Sequence, residues 1–333
     1  MIRSAAFALV LTLIACQTEA GVITFGSEAN SFDMEFVTIG SIGNTSDDTG
    51  KPKPAGSVAY EYGIGKYEVS RDMIDKYNSA YGTMQGLEIE MNSMVNYGGA
   101  TTSTPGTGIS WNEAARFVNW LNTSQGHSAA YKFSGDGVND NIETWSVADV
   151  GYDSTNLYRN SNAVYVLPSV HEWYKAAYYD PASSSWRDYA TLNGDVPTAV
   201  ASGTDANTAV YGRLGDGPAA VNQAGGENAF GVVGMNGNVF EWEETSSDLT
   251  NATGDLKRGV RGGEWRSNEV NLKSTSRNTH LTPDSESFNR GFRVARLSVT
   301  APVPEPSTAI ALGLLSVVGF AGNRRRRRNG LTA

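Results

Sequence analysis

Residues 277–293, RNTHLTPDSESFNRGFR, gather three arginines, a histidine, an aspartate and a glutamate around a Thr-Pro-Asp turn. A histidine beside a carboxylate can move protons, and neighbouring guanidiniums can grip an anion. The same arginines and carboxylates can equally lock a loop by pairing with each other. Ser274, Arg277, His280 and Asp284 are the pocket candidates, with Arg293 closing the run. The residue types alone leave ligand contact and loop locking both open.

Metal chemistry has few donors to draw on. His127, His171 and His280 lie far apart in the chain and form no ligand pattern. His171-Glu172 begins like a zinc-protease helix, but that motif needs a second histidine where Lys175 stands. Cys16 is the sole cysteine and falls inside an N-terminal apolar run, so the exported body has no thiolate nucleophile or disulfide. GDGVNDN at 135–141 has the composition of a calcium loop without EF-hand spacing, and reads as a polar turn.

These groups must be carried by a large, turn-rich body. Of 333 residues, 40% are hydrophobic and 10% aromatic, enough for a core, while 37 glycines predict many turns and few long helices. Arg3, the apolar stretch from Ala5 to Ala15 and the small residues before Gly21 have the layout of a signal peptide over residues 1–20. Cleavage after Ala20 is the simpler reading. Leu13-Ile14-Ala15-Cys16 also resembles a lipoprotein signal, which would place a lipid on Cys16.

At the other end, Pro304-Glu305-Pro306 precedes an apolar segment from Ser307 to Gly322 and then five consecutive arginines, Arg324 to Arg328. Sixteen helical residues reach roughly 24 Å at ~1.5 Å each, which is near the lower limit for a membrane span. Arginines directly behind such a segment are retained on the cytoplasmic side, leaving the body outside. The arrangement over 302–328 resembles the PEP-CTERM sorting signal of Gram-negative bacteria that make extracellular polysaccharide. That resemblance implies an exosortase that recognises Pro304, Glu305 and Pro306, an inner-membrane anchor that is at least transient, and a secreted or surface destination facing the periplasm or beyond.

Without the two ends, the loss of Arg3, the five tail arginines, Glu19 and Glu305 takes 26 basic and 35 acidic residues to 20 and 33, about −13 for the body. Such a surface repels nucleic acid and anionic lipid.

No repeat or long linker divides residues 25–299, so one domain is expected there. MEFVTIG (34–40) alternates as a strand, and 56–70 predicts one or two more. Ser70 precedes a helix with Met73, Ile74 and Tyr77 on one face. Ser110 with Glu113, and Ser169 with Glu172, form capping boxes for helices that bury Trp111, Ala114, Ala115, Val118 and Leu121, and Trp173, Ala176 and Ala177. Residues 180–228 read as ordered loop.

Six stretches then occur in a recognisable order: Tyr67-Glu68-Val69-Ser70, Ile109 to Ala114, Leu167-Pro168-Ser169 with Glu172-Trp173, Gly237-Asn238-Val239-Phe240-Glu241-Trp242, Arg261-Gly262-Gly263-Glu264-Trp265 and Gly291-Phe292-Arg293. Together they resemble the formylglycine-generating enzyme, or sulfatase-modifying factor, superfamily over residues 34–297. The resemblance implies an irregular, loop-rich α+β domain related to C-type lectins. Active members hold copper on two cysteines ahead of the Thr-Pro-Asp turn, positions that fall near Glu269 and Ser274 here. A carboxylate and a hydroxyl do not replace a thiolate pair for Cu(I), so copper is not expected. Iron is not expected either, because relatives that use it add a helical domain with histidine ligands. The family's calcium site maps to Gly237, Val239 and Glu241, but its usual Asp or Asn three residues earlier is Gly234, so any calcium binding would be weakened; Glu241 could instead cap a turn or pair with Arg261. The expectation is a non-oxidase binding module for an extracellular polysaccharide or an exported protein, with a divergent formylglycine-generating or other metal-dependent oxidase as the alternative.

Overall fold

Two reciprocal caps fix the two longest helices of the described residues, which in this computed structural model are 21–297. Ser110 Oγ accepts the Glu113 N–H at 3.1 Å while the Ser110 N–H donates to Glu113 Oε2 at 2.7 Å, starting Trp111–Ser124. The same exchange between Ser169 and Glu172 starts Val170–Tyr178. Each box satisfies two of the donors that a helix start leaves unpaired. Trp111, Ala114, Ala115, Val118 and Leu121 are fully buried, as their spacing predicts. A third helix, Arg71–Tyr77, follows Ser70, whose side chain accepts from Met73 N–H, and buries Ile74 and Tyr77.

Five strands form one antiparallel sheet in the order Gly21–Phe25, Phe32–Ile39, Tyr62–Gly65, Ala295–Leu297, Tyr165–Val166. The region 56–70 thus contributes one short strand. A second sheet orders Asn278–Leu281, Arg258–Arg261, Phe240–Ser246 and Arg290–Gly291, with only the last pairing parallel. The helices, turns and mixed sheets make a loop-rich α+β domain, as expected from the sequence. The expected loop at 180–228 also carries short pairings, including the parallel pair Thr198–Val200 and Thr208–Val210.

Tryptophans join these layers. Trp111, Trp173, Trp242 and Trp265 are almost wholly buried. The Trp111 indole N–H donates to Glu243 O and that of Trp242 to Ile109 O, both at 2.9 Å, so the Phe240–Ser246 strand holds the helix's tryptophan and the residue just before the helix cap holds the strand's. A ring that buries its face while its N–H is satisfied fixes orientation as well as burial. The N-terminal leader, Cys16, the Pro304-Glu305-Pro306 motif and the apolar segment 307–322 lie outside the described residues; within them, no helix is long and apolar enough to cross a membrane.

Candidate functional site

The strand Phe240–Ser246 positions the polar centre. Its side chains alternate between faces, so Glu241 and Glu243 share one side and Trp242 and Glu244 the other. All three glutamates are fully buried. Glu244 receives Arg159 Nε at 2.8 Å and the Tyr131 hydroxyl at 2.8 Å, and Arg159 continues to Glu172. Burial alone would raise the Glu172 carboxyl, but Arg159 and its hydrogen bonds bring it down to about 2.

On the opposite side, Glu243 sits between Arg261 and Arg277; Arg277 Nε donates to Oε2 at 2.7 Å, and Arg261 Nε makes a closer contact with Oε1. Burial favours the neutral acid, and the two guanidiniums override it, holding Glu243 below the usual carboxylate range. Arg261 also donates to the Ser274 and Ser276 carbonyls and to Lys51 O. Ser274 is 1% exposed, and its carbonyl accepts the Lys51 N–H at 3.3 Å. The segment around Lys51 therefore closes over this cluster.

Of the four pocket candidates, the structure brings Ser274 and Arg277 together around Arg261 and leaves His280 and Asp284 exposed on the surface. His280 lies on the edge strand Asn278–Leu281, and Asp284 lies in the turn that Ser285 closes by donating to Thr282 O at 3.0 Å. The arginines of the run lock loops: Arg277 to Glu243, Arg290 to the Ser285 and Glu286 carbonyls, Arg293 to Glu241. Burial lowers Arg290 to about 10.

Glu241 neither caps a turn nor pairs with Arg261. Arg293 Nε donates to its Oε2 at 2.6 Å, Arg293 Nη2 to its Oε1, and the Trp173 indole to Oε2 at 2.7 Å. A bidentate guanidinium plus an indole takes three of the carboxylate's roughly four lone-pair sites. At Gly234, where a side-chain oxygen was missing, the space belongs to Glu68: a Cβ would come within 2.9 Å of its Oε2. Both Glu68 oxygens accept from Asn238 Nδ2, at 3.0 and 3.1 Å. Gly237 adopts φ +81°, and a Cβ there would meet Val210 O at 2.1 Å. The carboxylate of the set Gly237, Val239, Glu241 is thus paired with a guanidinium and an indole, which opposes a hard dication there. Calcium-loop composition at 135–141 resolves similarly: the Gly135 and Gly137 carbonyls accept Arg116 Nη2 at 2.7 and 2.8 Å.

Neither position expected from the copper-binding relatives carries a soft ligand. Glu269 is exposed and Ser274 buried, so the two do not present a common face to solvent. Among the described residues, no group of three His, Cys, Asp or Glu is placed to hold a metal. His171 Nδ1 accepts the Gly56 N–H at 3.1 Å, and burial lowers its pKa.

An open cavity of about 500 Å³ does exist at Glu269, between Tyr211–Arg213 and Glu264–Asn271, with Phe240 on its wall. Sequence reasoning missed its arginines, Arg213 and Arg266; the only signal was that Arg266 directly follows the buried Trp265. It also missed Glu243 and Glu68. Glu-x-Glu spacing around a tryptophan was the available clue to Glu243, since it places both acids on one face of a strand.

A model of the Sulfatase-modifying factor enzyme 1-like domain matches residues 21–298, and the chain belongs to that family. A PEP-CTERM protein-sorting motif matches residues 302–328, which marks an exported chain whose C terminus is processed by an exosortase. No curated protein sequence matches the chain. Among solved structures, Treponema denticola variable protein 1 is similar at 20% identity and a TM-score of 0.58, over 83% of this chain and 98% of that one. CarF is similar at 19% identity and 0.54, over 80% and 98%. PvdO from Pseudomonas aeruginosa is 17% identical at 0.48, over 83% and 98%. At these identities, the first two bear on fold alone.

Proposed function

We propose that this exported family member is a binding module that does not carry out copper-dependent oxidation, and that its ligand is an extracellular polysaccharide or an exported protein met at the cell surface. One observation carries the reading: the two positions expected to hold thiolates are Glu269 and Ser274, one exposed beside a polar cavity and the other sealed behind Arg261. Oxygen activation at Cu(I) needs a soft ligand pair, and an exposed carboxylate with a buried hydroxyl is not one. The cavity at Glu269 has the size of a small-ligand site, a few hundred Å³ upward, and is rich in polar side chains. The same reading keeps the body facing outward, retained at the inner membrane at least until the exosortase acts.

The test is metal analysis of the purified chain together with mass spectrometry of a cysteine-containing substrate peptide after incubation with copper and oxygen. No bound copper or iron and no formylglycine are expected. Stoichiometric copper or iron that is lost on changing Glu269 or His280, or conversion of the peptide's cysteine, overturns the proposal in favour of a divergent oxidase.

A further inference from the structure

Arg266 is held rather than free to wander. Its guanidinium carbon lies 4.4 Å from the Phe288 ring centre and 5.4 Å from that of Trp265, while Nε donates to Glu264 Oε2 at 3.3 Å. Glu264 is itself fixed, since the same oxygen accepts the Arg266 backbone N–H at 3.0 Å. Stacking covers a face of the guanidinium and Glu264 takes its Nε, so the two terminal nitrogens have no protein partner among the described residues. The side chain is 28% exposed and lines the cavity.

Arg213 stands on the same wall. Its N–H donates to Trp265 O at 2.8 Å and the Gly212 N–H to Ser267 O at 2.9 Å, which zips the turn to the segment that carries Arg266. Arg213 adopts φ +62°, a left-handed conformation that glycine or asparagine would accept more readily. An arginine is thus kept at a backbone position that disfavours it, exposed, with no ion-pair partner among the described residues. Arg213 and Arg266 line the same cavity, and strained backbone positions concentrate where a side chain has a task.

The rest of the wall is polar: Asn268, Asn271 and Glu269 line the cavity with the arginines, and the half-buried Phe240 ring supplies an apolar patch. Amides and a carboxylate hydrogen-bond neutral hydroxyls, an aromatic ring covers a saccharide's C–H face, and two guanidiniums select carboxylates. We propose that this cavity binds a carboxylated polysaccharide, with Arg213 and Arg266 on uronate carboxylates and Asn268, Asn271 and Glu269 on hydroxyls. The inference rests on the binding-module reading above and names its ligand class.

Isothermal titration of the full chain in mild detergent, with oligogalacturonate, neutral dextran and poly-glutamate as probes, tests it. Oligogalacturonate is expected to bind, to weaken as salt rises from about 50 to about 500 mM, and to lose about tenfold or more in affinity in Arg213→Ala. Because that side chain is exposed, the thermal midpoint of the variant should match the parent, and Arg213→Lys should recover part of the affinity. Absence of oligogalacturonate binding, equal binding of dextran, equal or tighter binding of poly-glutamate, or unchanged affinity in Arg213→Ala overturns the assignment. If another exported macromolecule binds elsewhere while oligogalacturonate does not, only this inference falls; copper-dependent conversion of a cysteine peptide would remove the wider reading.

Discussion

Arg293 closes on Glu241 across 52 residues of sequence, with two guanidinium nitrogens on two carboxylate oxygens and neither group exposed to solvent. The pair ties the last part of the domain to its central strand. Arg293 also donates to the Gly65 and Val233 carbonyls, so two further segments meet at one guanidinium.

Breaking that pair should be severe. Glu241→Gln leaves the guanidinium buried without its counter-charge and is expected to destabilise the domain by about 3–5 kcal/mol in urea unfolding. Arg293→Lys should also destabilise the domain, because an ammonium cannot reproduce the fork. A loss below about 1 kcal/mol for both would show that the cluster is relaxed by other means.

Calcium dependence should be absent. With Glu241 neutralised by Arg293 and the space at Gly234 taken by Glu68, chelator and added calcium are each expected to leave the melting temperature within about 1 °C of the untreated chain. A drop of several degrees with chelator, restored by calcium, would contradict the geometry at Gly237 and Val239.

Stability should fall on the alkaline side. Burial, then the nearby Glu241 charge, raises Glu68 to about 8. A raised folded pKa means the native state holds the proton that the unfolded chain releases near 4.5. The associated stability is therefore complete below about 4.5 and is lost as pH climbs through about 8. Urea midpoints between pH 5 and 9 should decline, and Glu68→Gln should flatten that decline.

Accessibility of Glu269 and Ser274, near which the relatives' cysteines are expected to fall, can be read directly. Glu269→Cys should react with a maleimide at the rate of an exposed thiol, whereas Ser274→Cys should resist until denaturant is added. Equal labelling of both in the native chain would show an open cleft where the structure has a packed one.

Much of the architecture was legible because local signals agreed with it. The capping boxes at Ser110 and Ser169 announce their helices, and Trp111 through Leu121 shows the buried stripe at helical spacing. The site was less legible, for a definable reason. Charged residues in RNTHLTPDSESFNRGFR carry no mark of their partners, and Glu243, Glu241 and Glu68 lie tens or hundreds of residues away. The motif FEWEE looks like solvated acid, yet long-range arginines allow all three glutamates to be buried. Arg213 and Arg266 gave even less, since their placement comes from a turn zipped to a distant segment, with Arg266 held by its near neighbour Glu264 and Arg213 without an ion pair among the described residues.

The strand Ala295–Leu297 lies between Tyr62–Gly65 and Tyr165–Val166, so the first sheet has a hole in it until nearly the whole domain has been made. A chain lacking residue 297 would have three paired strands and an unjoined Tyr165–Val166, and closure of the sheet would follow the arrival of that residue. Only a few residues then separate that closing strand from the sorting motif at 302–328. Completion of the fold and presentation of the processing signal are thereby set close together along the chain.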